Sequence, residues 1–253
     1  MDALDLSGRI ALVTGGSRGI GEAIAQALAG RGAHVIVASR KADACARVVA
    51  EIERDGGRAE ATACHIGDPA QIESVMQRIA ASHGRLDILI NNAATNPYFG
   101  RVVDTDLPAF QKTVDVNIRG FFVASCAAAK LMEKGGGGSI VNIASISGVI
   151  PGPNQGVYSI TKAAVIGMTK VFAAECAAMK VRVNAVLPGL TETRFTTALL
   201  EDPAHLDHYL QHVPLKRVAQ PAEIAGAVLY LVSPAASYTT GACLPVDGGY
   251  LVQ

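Results

Sequence analysis

A doubly wound α/β fold with a buried parallel sheet is what this sequence predicts, and three observations predict it. Short runs rich in Val, Ile and Leu alternate with longer Ala-rich stretches of helical period along the whole chain. Half of the 253 residues are hydrophobic and only 17% are charged, which excludes disorder and calls for a large core. The 26 glycines suit helices that lie close on a sheet and a backbone that must approach a ligand. Length alone would allow nearly two domains, but no linker or composition shift divides the chain, so one domain over residues 1–253 is expected.

Seven apolar runs bounded by turn residues predict strands at Ile10–Thr14, His34–Ser39, Arg58–Ala63, Asp87–Asn91, Gly138–Ala144, Arg182–Leu187 and Ala242–Val246. The stretches between them predict helices at Gly19–Arg31, Ala42–Asp55, Ala70–His83, Pro108–Glu133, Gly156–Met179 and Ala222–Leu231. Asp68-Pro69-x-Gln71 marks a helix start: Asp accepts from first-turn amides, Pro presets the first helical position and Gln reaches back. The tetraglycine Gly135–Gly138 ends one helix and turns into the next strand.

Composition also excludes function classes. With 22 basic and 22 acidic residues the formal charge is zero, so no nucleic-acid partner and no anionic-lipid surface is expected. No window is expected to supply the ~18 apolar residues of a membrane span, and the opening residues lack a signal-peptide pattern, which predicts a cytoplasmic location. The five cysteines are scattered without a Cys-x-x-Cys, which indicates neither a disulfide framework nor a thiolate metal site.

The first chemical motif follows the first strand: Thr14-Gly15-Gly16-Ser17-Arg18-Gly19-Ile20-Gly21 opens an Ala-rich helix. Glycines at 15, 19 and 21 let backbone amides and the positive helix end meet a pyrophosphate, so Gly15, Ser17, Arg18, Gly19, Ile20 and Gly21 are candidate cofactor contacts. An ordinary tight strand-to-helix turn is the competing interpretation. At the end of the second strand, where an NAD enzyme would carry a ribose-binding carboxylate, the chain has Ser39-Arg40-Lys41. A guanidinium fork at Arg40, a hydroxyl at Ser39, Lys41 beside them and Arg18 opposite would receive a 2′-phosphate, which makes NADP(H) the expected cofactor; singly, each cation could be a solvated surface charge.

The second motif is Tyr158-Ser-Ile-Thr-Lys162, whose Tyr and Lys are four apart on one helix face. An ammonium beside a phenol favours the phenolate, so Tyr158 is expected to titrate below its free value of ~10 and to serve as the proton donor of a carbonyl reduction. The plain alternative is a half-buried Tyr with a snorkelling Lys.

Together these segments resemble the single-domain branch of the short-chain dehydrogenase/reductase family, and the resemblance covers the chain. Thr14–Gly21 is similar to that family's nucleotide loop, Asn91-Asn92-Ala93-Ala94 to its central-strand motif and Tyr158-x-x-x-Lys162 to its catalytic centre. Pro188-Gly189-Leu-Thr-Glu-Thr193 and Asp247-Gly-Gly are similar to its later motifs. The resemblance implies a three-layer Rossmann-type fold on a seven-stranded parallel sheet. It implies Ser145 as the hydroxyl that binds the substrate carbonyl, Asn117 as the residue whose backbone holds a water reaching Lys162, and Lys162 as a ligand of the nicotinamide ribose. It further implies cofactor contacts at Asn92, Ala93, Pro188, Gly189, Thr191 and Thr193, and adenine contacts at His65 and Ile66. His65 stands where the family has Asp or Asn, and Ala94 where it has Gly. A homotetramer built on the Pro108 and Gly156 helices is also implied.

The expected activity is therefore an NADP(H)-dependent interconversion of a ketone or aldehyde and its alcohol, of carbonyl-reductase or 3-oxoacyl-reductase type, with a small-molecule substrate as partner. An NAD-dependent dehydrogenase of a sugar, polyol or other secondary alcohol, and a catalytically silent cofactor-binding regulator, are the alternatives. Residues 190–213 are expected to form a substrate lid, and Tyr98 and Phe99 to wall the pocket or pack their loop. His205, His208 and His212 share a helix face at metal-ligand spacing but lack a His-Glu-x-x-His pattern, so no metal is expected. Ser145 lacks a nucleophile elbow, which sets a serine hydrolase aside.

Overall fold

The computed structural model describes residues 2–201 and 203–252, apart from the side chains of Ala198, Leu199, Ala204 and His205. Seven strands form one parallel sheet: β1 Ile10–Thr14, β2 His34–Ser39, β3 Arg58–Ala63, β4 Ile88–Asn91, β5 Gly138–Ile143, β6 Val181–Pro188 and β7 Cys243–Val246. Their order is β3-β2-β1-β4-β5-β6-β7, the doubly wound Rossmann arrangement. The strands run apolar throughout because both faces are covered. Successive side chains of β1 and β2 feed opposite cores: Ala11, Val13, Val35 and Val37 one, Leu12, Ile36 and Ala38 the other.

Helices α1 Gly19–Ala29, α2 Ala42–Arg54 and α9 Pro221–Val232 pack into the first core. Helices α3 Pro69–His83, α5 Gly120–Lys134 and α6 Gly156–Glu175 pack into the second, completing three layers. Asp68 caps α3 as expected, accepting from the Ala70 amide at 3.0 Å, with Pro69 in the first turn. Gln71 reaches back differently: its amide donates to the Asp68 carboxylate and its carbonyl accepts from the His65 amide.

Three expectations are corrected. The helix expected over Pro108–Glu133 is instead α4 Leu107–Val114, a π-helical turn Asp115–Arg119, and α5. Asp106 caps α4, and at Gly120, where the π-helical turn ends, a Cβ would lie 2.4 Å from the Ile66 carbonyl oxygen. The helix expected to reach Met179 stops at Glu175, followed by one tight turn and Lys180 in the left-handed conformation at φ 58°. Residues 190–213 carry two helices, α7 Thr197–Leu200 and α8 Pro203–Gln211. Finally, α6 is by length and composition apolar enough to cross a bilayer. In the fold it is a core helix: Val157, Tyr158, Thr161, Lys162, Val165, Thr169 and Phe172 are buried.

At the amino ends of the central strands one carboxylate gathers three donor residues from two segments. Asp87, 2% exposed, accepts from the Ile10 amide at 2.9 Å, from Arg9 at 3.0 Å and from the Arg85 guanidinium. Burial alone would raise its pKa, but the hydrogen bonds from Arg85, the Ile10 amide and Arg9 together hold it below the usual carboxylate value. A folded-state pKa depressed in this way gives stability that is present above the unfolded value and lost as pH falls through the folded one. Asp87→Asn should therefore lower stability at neutral pH by about 1–3 kcal/mol. It should also flatten the loss of stability that wild type shows below about pH 4 in denaturant titrations; an equally steep acid limb in the variant would contradict this.

Candidate active site

The glycine loop is shaped first by protein contacts. The Thr14 hydroxyl donates to the Ile90 carbonyl at 3.0 Å and accepts from the Asn92 amide at 3.0 Å, locking the ends of β1 and β4 together. The Asn92 side chain donates to the carbonyls of Thr14 and Gly15. Gly21 sits so close that a Cβ would lie 2.3 Å from the Gly15 oxygen and 2.4 Å from the Asn92 amide nitrogen. Gly15 and Gly19 take φ of 65° and 56°, the left-handed region that favours glycine. Arg18 precedes α1 in an extended conformation without a side-chain cap, which leaves the first-turn amides around Gly19, Ile20 and Gly21 suited to a phosphate. Ser17 is fixed from below by Arg47, which donates to its carbonyl at 3.1 Å and pairs with Glu22 at 2.8 Å and Glu51 at 2.7 Å. Arg47 escaped the sequence analysis because it stands in an ordinary charged face of α2.

Arg18, Arg40 and Lys41 are exposed on the two segments flanking this loop, and none has an ion-pair partner among the described residues. The Ser39 hydroxyl turns back toward its own segment, 3.1 Å from Cys45 Sγ and 3.3 Å from the Lys41 carbonyl. The His65 ring likewise serves its own turn, its Nδ1 accepting from the Gly67 amide at 3.0 Å. Ile66 is buried and packs against Gly120. Ala93 lies beside Gly15, whose added Cβ would stand 2.8 Å from the Ala93 Cα.

The second group gathers at the carboxyl end of β5. Lys162 is 1% exposed; its ammonium donates to the Ile143 carbonyl at 2.6 Å and lies 5.5 Å from the ring centres of both Tyr158 and Phe121. An ammonium has three donors, so two remain for a ligand. Ser145, two residues beyond Ile143, is extended and accepts from the Ser147 amide at 3.0 Å. Asn117 falls within the π-helical turn, fully buried; its side chain accepts from the Thr95 amide and donates to the Thr95 carbonyl and to the Thr161 hydroxyl. Thr161 in turn donates to the Tyr158 carbonyl at 2.8 Å, so Asn117 is tied to α6 through one hydroxyl.

The electrostatics correct one expectation. Burial pushes the Tyr158 phenol up to about 12, against a smaller opposing pull from the Ser145 hydroxyl, and burial pulls the Lys162 ammonium down to about 7. Desolvation disfavours the charged form of both groups and is the leading cause of each shift.

The Pro-Gly segment lies at the end of β6. Pro188 ends β6, the Gly189 amide donates to the Val246 carbonyl, and Asp247 accepts from the amides of Gly249 and Leu251, bracing the turn from behind. Thr191 is buried with its hydroxyl donated to the Gly189 carbonyl, so that hydroxyl is spent inside the turn. Thr193 faces the nucleotide loop: an added Cβ on Gly19 would lie 3.2 Å from its methyl. Three aromatic residues were missed by sequence reasoning. The Phe195 ring lies 5.9 Å from that of Tyr158, and Tyr209 accepts from the Leu190 amide at 2.8 Å while stacking on Tyr250 at 5.0 Å. The i, i+4 histidines drew notice on α8 where Tyr209 carries the contact; His212 Nδ1 lies 2.9 Å from the His208 carbonyl, and the His205 side chain is outside the described residues. Tyr98 is half-buried and Phe99 exposed in the loop that meets Gln155.

Known proteins agree with this arrangement. A family model described as enoyl-(acyl carrier protein) reductase matches residues 15–251. The rabbit (Oryctolagus cuniculus) dehydrogenase/reductase SDR family member 4 is 40% identical over 96% of this chain and 94% of its own length. A 3-oxoacyl-[acyl-carrier-protein] reductase of a Synechocystis strain is 40% identical over 98% of both chains. Among solved structures, a candidate 2-deoxy-D-gluconate 3-dehydrogenase of Agrobacterium tumefaciens with bound NADP superposes with a TM-score of 0.93 at 37% identity, covering all of both chains. A 7α-hydroxysteroid dehydrogenase holding NADH and 7-oxo glycochenodeoxycholic acid gives 0.94 at 35% identity, over 98% of this chain and 96% of that one. With its seven-stranded parallel sheet, glycine loop and Tyr158/Lys162 helix, the chain belongs to the short-chain dehydrogenase/reductase family of nicotinamide-dependent oxidoreductases that act on alcohol and carbonyl groups.

Proposed function

We propose that this protein reduces a ketone or aldehyde to its alcohol with NADPH, Tyr158 donating the proton. The observation that carries the proposal is the convergence of the Tyr158 phenol, the Lys162 ammonium and Ser145 at the end of β5, beside an uncapped helix start. The bound nicotinamide would supply a hydride to the carbonyl carbon. Ser145 would donate to the carbonyl oxygen and stabilise the negative charge that grows on it. A phenol pushed up to about 12 is protonated at neutral pH, which suits proton donation. The two unspent donors of Lys162 would hold the ribose hydroxyls, and Thr193 with the backbone from Pro188 to Thr191 would seat the carboxamide. Phe195, Tyr98 and Phe99 would form an apolar wall for the remainder of the substrate, with 190–213 as its lid.

Arg40, Lys41 and Arg18 support NADPH over NADH, since these exposed cations have no ion-pair partner among the described residues and Ser39-Arg40-Lys41 carries no carboxylate at the end of β2. The NADP found in the Agrobacterium structure and the NADH found in the hydroxysteroid dehydrogenase are both compatible with the fold, so these side chains decide. A homotetramer is supported by exposed apolar side chains on α4, α5 and α6, namely Leu107, Phe110, Phe122, Ile160 and Val171.

Tyr158→Phe should lower turnover by about 10²–10⁴-fold, and Ser145→Ala by about 10²–10³-fold, with NADPH affinity by fluorescence titration nearly unchanged in both. Unaltered turnover in the Tyr158 variant would remove it from the mechanism. Arg40→Asp should reduce the NADPH/NADH ratio of kcat/KM by about 10- to 100-fold, and a wild-type enzyme that prefers NADH in parallel assays would refute the phosphate assignment. Light scattering should return a particle of four times the 26.1 kDa chain; a monomer would leave the apolar stripe without a role.

A further inference from the structure

At the end of the sheet away from the catalytic helix start, three potential metal ligands from separate segments converge. His34 opens β2, Glu60 lies in β3 and His83 is in the last turn of α3. The register pairs His34 with Arg58 and Ile36 with Glu60, so His34 and Glu60 project from the same face of the sheet. Ile36 packs into the core that α3 covers, so this is the face onto which the end of α3 descends. We propose that His34, Glu60 and His83 form a binding site for a divalent transition metal, with Zn²⁺ the best match.

The donor atoms of the three side chains all lie within 4.8 Å of one another. His83 Nε2 is 3.3 Å from the nearer Glu60 carboxylate oxygen, and the two imidazole rings are 4.9 Å apart between centres, tilted by 48°. His34 Nε2 is buried and has no hydrogen-bond partner. An unpartnered buried nitrogen costs about 1–3 kcal/mol, and a metal at the centre of the cluster would satisfy it. Burial and the neighbouring His83 hold the His34 pKa below its ordinary value, against an opposing pull from Glu60.

An ordinary ion pair accounts for less. A protonated His83 would satisfy Glu60, but it would leave His34 Nε2 unpartnered and set a cation against a neighbouring imidazole. Arg58, the remaining charged group close to His34, donates to the Gly32 carbonyl at 3.2 Å. Two imidazoles and one carboxylate are a zinc ligand set, with Zn–N and Zn–O bonds of about 2.0–2.2 Å. Such bonds place ligand atoms roughly 3.4 Å apart, so the donors need to close by roughly an ångström. Glu60 at 39% side-chain exposure and His83 at 17% have room to do so and leave the fourth position open to water. A metal here would join β2, β3 and α3 far from the reacting atoms, so its effect would be on stability and not on the chemistry.

The test uses the full-length protein stripped with chelator and titrated with Zn²⁺ near pH 7.5, followed by calorimetry and thermal melting. The expected result is one ion per chain and a raised Tm. His83→Gln and Glu60→Gln, at partly exposed positions, should each weaken binding at least about 100-fold, since loss of even an outer partner of a ligand costs about 10–100-fold. Both should melt near wild type without metal, which avoids relying on a His34 variant that could fail to fold. His208→Gln should leave the affinity unchanged. Absence of binding would overturn the proposal, as would zinc that survives His83→Gln and is lost in His208→Gln.

Discussion

A lysine ammonium held out of water is the constraint around which the site is organised. Lys162 has one protein acceptor, the Ile143 carbonyl, and two ring faces at 5.5 Å. Burying a charge with so few partners is costly, and that burial pulls the ammonium down to about 7. Ile143 ends β5, and Ser145 follows it, so the strand that anchors the ammonium also places the hydroxyl. Gly148 presses the turn after Ser145 against α6, where a Cβ would lie 2.7 Å from the Lys162 backbone. A buried polar chain from Asn91 to Asn142 to Thr169 ties β4, β5 and α6 at the same level. A second one from Thr95 through Asn117 to Thr161 ties the π-helical turn to α6.

The seven strands were legible in the sequence, with ends shifted by about one residue, because central parallel strands are apolar on both faces and bounded by turns. The helix ends were less so. The π-helical turn runs into Gly120, which closely approaches the Ile66 carbonyl, a contact between distant segments that no local pattern announces. The same distinction holds in the site. Tyr158 and Lys162 were found because both lie on one helix four residues apart, and the glycine loop because its spacing is local. Ser145 and Asn117 came only with the family resemblance. The direction of the Tyr158 shift was misjudged because spacing reports the neighbouring charge, whereas burial is a collective property of the packed core. Arg47, Phe195, Tyr209 and the His34 cluster were invisible for one reason: each acts through a partner on another segment.

The two ends of the sheet divide the labour. At the carboxyl ends, backbone amides are left uncapped and donors unspent, so that end is completed by a ligand. At the amino ends, Asp87 is saturated by three donors and joins β1 to the turns before β1 and β4. Rigidity at one end permits incompleteness at the other, a usual condition for a site whose donors must wait in place for their substrate.

The contact of Thr193 with Gly19 and that of Phe195 with Tyr158 belong to residues only two apart, in a turn pinned by the Thr196 hydroxyl to the Thr191 and Thr193 carbonyls. Two residues span about 7 Å at full extension, too little chain to absorb a displacement at one contact before it reaches the other. The turn thereby gives the nucleotide loop and the phenol one shared neighbour, a link only two residues long.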